Sequence, residues 1–139
     1  AMCAPGPHGD ALARYLAGCR DGDRWTLPGG WAEQSQTAGQ SAAREVLEES
    51  GYIVRPTKLA AAWDKAAQGI VPGPFSITTL FFVCDLLGGE PRTSVETTGV
   101  GWFAEDELPT DLSPRRTTPR QLARMFAHRR DPSLPTEWD

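Results

Sequence analysis

The chain has no run of about 18 apolar residues, the length a membrane-crossing helix requires. It has no excess of positive charge either. Fourteen Lys and Arg stand against eighteen Asp and Glu, a net charge of −4. That excludes a global pull towards nucleic acid or an anionic membrane. Cysteine is scarce and odd in number, and Cys3, Cys19 and Cys84 share no metal-ligand spacing. A zinc cluster and a fully paired disulfide framework are both excluded, and reduced thiols in a cytoplasmic protein are the simplest account. The opening AMCAPGPHGD has no basic region followed by an apolar one, so no secretory signal is visible. No repeat or long low-complexity run is present.

What is present suits a compact enzyme-sized unit. Hydrophobic residues make up 40% of the 139, enough for a core, and the 23% charged content argues against disorder. The Pro- and Gly-rich residues 1–10 read as a flexible lead-in. Residues 11–139 read as one domain.

The informative stretch runs from Leu27 to Tyr52, LPGGWAEQSQTAGQSAAREVLEESGY. A Gly-rich loop, Pro28-Gly29-Gly30, precedes a helix that Gly51 stops. Glu45, Glu48 and Glu49 fall on one face of that helix, being spaced i, i+3 and i+4. Gly39, Ala43, Val46 and Leu47 fall on the face expected to be buried. Like charges at such spacing repel by a few tenths of a kcal/mol per pair. A hard divalent cation with oxygen ligands would offset that repulsion. Arg44 as counterion on a solvated acidic face is the plainer alternative.

The stretch resembles the Nudix box, Gly-x5-Glu-x7-Arg-Glu-U-x-Glu-Glu-x-Gly-U, where U is aliphatic or aromatic. Gly30, Arg44, Glu45, Val46, Glu48, Glu49, Gly51 and Tyr52 occupy its places. Gln36 stands where the family has its first Glu. Ser35 replaces a frequent Gly, and Gly99 lies where relatives often carry an acid before the Trp102-Phe103 pair. Glutamine is neutral but can still hydrogen-bond Arg44. Reduced activity or altered metal affinity is the expected consequence, not abolition.

The resemblance implies an α/β/α sandwich with a mixed β-sheet. It also implies Mg²⁺-dependent hydrolysis (Mn²⁺ as substitute) of the pyrophosphate bond in a nucleoside diphosphate linked to another moiety. On that reading Glu45, Glu48, Glu49 and the Gly30 carbonyl hold the metal. Arg44 orients the carboxylates by charge-assisted hydrogen bonds. Glu49 or Glu48 helps to activate water, with Glu96 in the 90–98 loop as a further candidate base. From Asp64 onward the chain is similar to a branch with ADP-ribose or CDP-choline type substrates. Trp31, Glu33, Trp63 and Phe75 lie near the box or in the loop after it, and aromatic faces there would stack on a base. The alternative implied is a Nudix-fold module that binds such a ligand without cleaving it.

The remaining elements follow from pattern. Residues 11–20 read as a strand and Trp25-Thr26-Leu27 as a short extended piece. In relatives two strands precede the Gly loop; here there is room for one, with His8-Gly9-Asp10 in the place of the connecting turn. The first strand is therefore expected to be missing or replaced. A bare sheet edge seeks a partner, so residues 1–10 or a second copy in a homodimer would cover it. Tyr52-Ile53-Val54 starts a strand that Pro56 closes, and Leu59 to Trp63 forms another. Phe75 to Leu87 is the strongest strand signal, with Cys84 as buried core. Val100 to Phe103 is a strand, Glu105 to Leu108 a helical turn, and Thr118-Pro119 a helix start. The arginines at 115, 116, 120, 124, 129 and 130 read as a solvated helix face pairing with Glu105, Asp106 and Glu107 rather than as a nucleic-acid surface. The partner expected is a nucleotide-diphosphate small molecule, with no membrane.

Overall fold

The structure is a computed structural model. It describes the backbone of residues 2–6 and 15–21, and residues 23–71 and 73–139 in full. The elements are β1 (Met2–Gly6), β2 (Tyr15–Asp21), β3 (Arg24–Thr26), α1 (Ala38–Ser50), β4 (Tyr52–Asp64), β5 (Thr78–Gly89), β6 (Thr97–Ala104), a 3₁₀ turn (Glu105–Glu107), α2 (Pro119–Arg130) and β7 (Glu137–Trp138).

Two sheets carry the fold. One has strand order β1-β5-β4-β7 and the other β3-β2-β6. The first is mixed: β1 runs parallel to β5, β4 antiparallel to β5, and β7 parallel to β4. Successive side chains of β5 point to opposite faces. Phe81 and Val83 join Trp63, Leu122, Met125 and Phe126 in a core under α2. Phe82, Cys84 and Leu86 join Val46 and Val54 in a core under α1. The helices therefore cover opposite faces of one sheet, which is the α/β/α arrangement.

Met2–Gly6 pairs along β5. These residues form a strand rather than a flexible lead-in, which agrees with a first strand that is replaced rather than missing. Of the two covers expected for a bare sheet edge, residues 1–10 or a second copy, Met2–Gly6 of the chain itself is the one present, at the edge beside β5. The expected turn at His8-Gly9-Asp10 lies outside the described residues.

β4 is one strand, not two. Pro56 sits inside it, where the β4–β5 register shifts between Pro56 and Lys58. Proline is tolerated there because a bulge and an edge make no demand on its missing N–H. β7 pairs β4 only at Ala61 and Ala62, away from Pro56. β5 starts at Thr78, which leaves Phe75 in the preceding loop. Cys84 is buried and is disulfide-bonded, its partner sulfur lying outside the described side chains. The expectation of reduced thiols does not hold for Cys84, and cysteine usage no longer argues for the cytoplasm. Among the described residues no helix is long and apolar enough to cross a membrane.

Both helices start on capping boxes. Thr37 and Gln40 close α1, and Thr118 and Gln121 close α2, with Pro119 in the first turn. Gly51 ends α1 at φ 80°, and its N–H donates to the Leu47 carbonyl. A side chain at Gly51 would meet the Glu90 carbonyl oxygen at 2.2 Å, so this stop is steric as well as conformational.

Candidate active site

The Gly loop runs from β3 into the start of α1, and α1 brings its glutamates back beneath it. The buried stripe of α1 holds Ser41, Ala42, Val46, Glu49 and Ser50. Leu47, expected inside, is exposed. Glu49 takes an inside position instead, at 4% exposure. The acidic and buried faces of the helix therefore overlap rather than oppose one another.

The buried carboxylate of Glu49 is partnered. The Gly29 amide donates to Glu49 Oε2 at 2.8 Å. The Arg116 guanidinium stands 3.6 Å from Glu49 Oε1 and also donates to the Gly29 carbonyl. Thr97 donates to the Glu49 backbone carbonyl at 2.8 Å. Loop, helix and the start of β6 are thus tied at one residue.

Glu45 sits under Gly30. A Cβ on Gly30 would lie 2.5 Å from Glu45 Oε2, so only glycine admits that carboxylate so close to the loop. Arg44 neutralises the outer part of the cluster. Its Nη2 donates to Glu45 Oε1 at 2.8 Å and its Nη1 to Glu48 Oε2 at 2.7 Å. Glu33 lies 3.4 Å away. The Glu48 hydrogen bond is the main reason the guanidinium pKa is raised above its usual value. Gln36 Oε1 accepts from Arg44 Nε at 3.4 Å and from Ser41 Oγ at 3.2 Å. Glutamine here keeps the acceptor and loses the charge.

These groups edge a cleft of about 660 Å³. Gly30, Trp31, Glu33, Arg44, Glu45, Glu49 and Glu96 line it. Glu48 is outside that lining, more than half exposed and held by Arg44. Trp63 does not reach the cleft: it is 5% exposed and packs on Phe81 in the α2 core. Its reading as a base-stacking residue is corrected, because alternation along β4 turns it inward. Phe75 is exposed but also outside the lining.

Lys65 and Arg116 line the cleft as well, and neither was singled out as a site residue from sequence. Lys65 follows β4 directly, and Arg116 looked like one member of a basic run. That run disperses. Arg124 pairs with Glu137 and Arg130 with Glu105, while burial pushes Arg129 down to about 10. Arg130, through Glu105, fits the expected pairing with the 105–107 acids.

The donor set suits a hard divalent cation: carboxylate oxygens beside a cleft, with a glycine that admits Glu45 closely. Among the described residues, however, no group of three or more His, Cys, Asp or Glu gathers at metal-binding spacing. Arg44 already bridges Glu45 and Glu48. The repulsion inferred from sequence is therefore offset here by an arginine.

Comparison with known proteins agrees with this fold and loop. The NUDIX domain family model matches residues 11–125. The chain belongs to the Nudix family. A Bacillus subtilis protein, YjhB, provisionally named an ADP-ribose pyrophosphatase, is 36% identical over 115 residues, covering 83% of this chain and 55% of that one. The NAD-capped RNA hydrolase NudC of Pectobacterium atrosepticum is 30% identical over 103 residues, covering 73% and 36%. The chain thus spans about half or less of the length of these curated relatives. A crystal structure of an ADP-ribose pyrophosphatase from Streptococcus suis superposes with a TM-score of 0.85 at 30% identity, covering 99% of this chain and 96% of that one.

Proposed function

We propose that this Nudix protein is a pyrophosphohydrolase. Its substrate would be a nucleoside diphosphate joined to a second moiety, of the ADP-ribose or nucleotide-sugar kind. The observation that carries this reading is the shared cleft. Gly29-Gly30, four glutamates and three cations meet in a space of about 660 Å³, a volume in the range of small-molecule sites. The names of the relatives point the same way.

Glu45, Glu49 and the Gly30 carbonyl would hold Mg²⁺ or Mn²⁺, with Glu48 joining once released from Arg44. The cation would neutralise phosphate charge and lower the pKa of a bound water. Glu49, fixed by Gly29 and Arg116, would take a proton from the attacking water. Glu48 and Glu96 are the other candidates for that role. Trp31 and Glu33 line the cleft near the loop and would meet the nucleoside. Proton transfer by a positioned carboxylate contributes roughly 10²–10⁴-fold.

A second reading, ligand binding without cleavage, draws on the Arg44 bridge and on the neutral Gln36. The test is product release from ADP-ribose, CDP-choline and related diphosphates with Mg²⁺ or Mn²⁺. Turnover of any member supports hydrolysis. Measurable binding with no turnover across the panel supports the second reading.

A further inference from the structure

We propose that Lys65 and Arg116 form an anion-receiving wall of the cleft, beside Glu49, that binds the phosphoryl oxygens of a diphosphate. The proposal rests on the reading that the cleft takes a diphosphate compound.

Lys65 has no carboxylate partner among the described residues. Its Nζ donates only to the Arg115 carbonyl, at 3.3 Å. That bond lays the ammonium against the backbone that carries Arg116, and both side chains line the cleft. Two cations are thereby brought to one wall. Lysines on a surface usually avoid such company, because like charges repel and water is free to separate them.

The backbone at Lys65 is fixed from several sides. Its N–H donates to the Ile77 carbonyl at 3.0 Å, and its own carbonyl accepts from Ile70 at 2.9 Å. Asp64 Oδ1 accepts from the Ala66 and Ala67 amides at 2.9 and 3.1 Å, which sets the turn. The side chain of Gln68 reaches Asp139 Oδ1 at 2.7 Å, tying the turn to the C-terminal tail. The backbone from which the ammonium reaches the cleft is thus set before any ligand arrives. Burial first, and the charge of Arg116 second, lower the lysine pKa. An anion between the two cations would relieve that repulsion.

The pair is suited to phosphate rather than to a neutral group. Lysine offers a compact point charge with three donors, and arginine a planar fork that matches phosphate oxygens. Arg116 is already anchored on the Gly29 carbonyl and near Glu49. A phosphoryl group bound there would lie next to the glutamate that is the candidate base. No other described Lys or Arg besides Arg44 lines the cleft, and Arg44 is bound to glutamates.

The test uses the full chain and inorganic pyrophosphate without added metal, read by calorimetry. Wild type is expected to bind pyrophosphate, and Lys65→Met to bind it about tenfold or more weakly, as loss of a charge-assisted contact predicts. Lys65→Arg is expected to restore most of the affinity. Adenosine binding is expected to be the same in all three proteins. In turnover assays Lys65→Met should raise KM more than it lowers kcat. Equal pyrophosphate binding by wild type and Lys65→Met, or no binding by wild type, overturns the proposal. Pyrophosphate binding lost in Lys65→Met while no diphosphate is hydrolysed by wild type leaves the anion wall standing and removes the hydrolase reading. Thermal unfolding of each variant separates a local loss from a folding defect. If Lys65→Met fails to fold, Lys65→Gln is measured, and its unchanged affinity overturns the proposal equally.

Discussion

Gly29 and Glu49, twenty residues apart, are joined by one buried hydrogen bond of 2.8 Å from amide to carboxylate. The bond fixes the Gly loop over the helix that supplies the glutamates. It also sets apart two substitutions. Glu49→Gln keeps an oxygen for the Gly29 amide, so the fold should hold while turnover falls about 10²–10⁴-fold. Glu49→Ala leaves the buried amide unsatisfied and should cost about 1–3 kcal/mol of stability as well. Paired measurements of kcat and chemical denaturation check both. Full turnover in Glu49→Gln would refute the role of Glu49.

Gln36 faces Arg44 and Ser41. Gln36→Glu would keep both contacts and add a charge beside the guanidinium. The expected outcome is firmer anchoring of Arg44, seen as a higher thermal midpoint. Metal affinity, followed by calorimetry with Mn²⁺, should rise only if a better-held Arg44 also positions Glu45 and Glu48. A fall in both quantities would contradict the placement of this side chain.

Ser35 adopts φ 67°, the left-handed region. A non-glycine residue there costs roughly 1–2 kcal/mol. Ser35→Gly should recover part of that cost, less the extra freedom glycine has in the unfolded chain. The expected gain is about 0.5–1 kcal/mol in urea denaturation. A loss of stability would show that the serine hydroxyl compensates the strain.

Acid should weaken the fold through the C-terminal tail. His128 is buried, with Nε2 3.0 Å from Glu137 Oε1, and Arg124 pairs with the same carboxylate. Burial lowers the His128 pKa, the charges of Lys58 and Arg124 lower it further, and the Glu137 contact only opposes them in part. The unfolded chain then binds the proton more tightly than the folded one. Stability should fall as pH drops below about 6.5, the ordinary histidine value. For Glu137, burial acts to raise the pKa, but the hydrogen bonds from Arg124 and His128 together bring it below normal. Its contribution is present above about 4.3 and lost at lower pH. Denaturation followed from pH 8 down to about pH 2 should show both steps, and His128→Gln should remove the upper one.

Much of the fold was legible because its signals are local. The helix cap at Thr118, the stop at Gly51 and the β5 run depend on neighbours in sequence. The misplaced features depend on distant partners. Met2–Gly6 looks like a loose lead-in until β5 is there to pair with it. Pro56 looks like a strand end until the bulge opposite Cys84 is known.

The site divides in the same way. The Glu45–Glu49 cluster is set by helical spacing and could be read directly. Arg116 and Lys65 reach the cleft from segments 51 residues apart, and nothing in their own neighbourhoods marks them. Trp63 and Leu47 show the reverse error. An aromatic near the box looked like a binding residue and is core, and an apolar residue of α1 looked like core and is exposed.

The most direct measurement is release of nucleoside monophosphate from ADP-ribose and CDP-choline with Mg²⁺, for wild type, Glu48→Gln and Glu49→Gln. Pyrophosphate hydrolysis predicts turnover by wild type that falls at least about 10²-fold in Glu49→Gln. Binding of these compounds by wild type without product, or undiminished turnover in both variants, would contradict it.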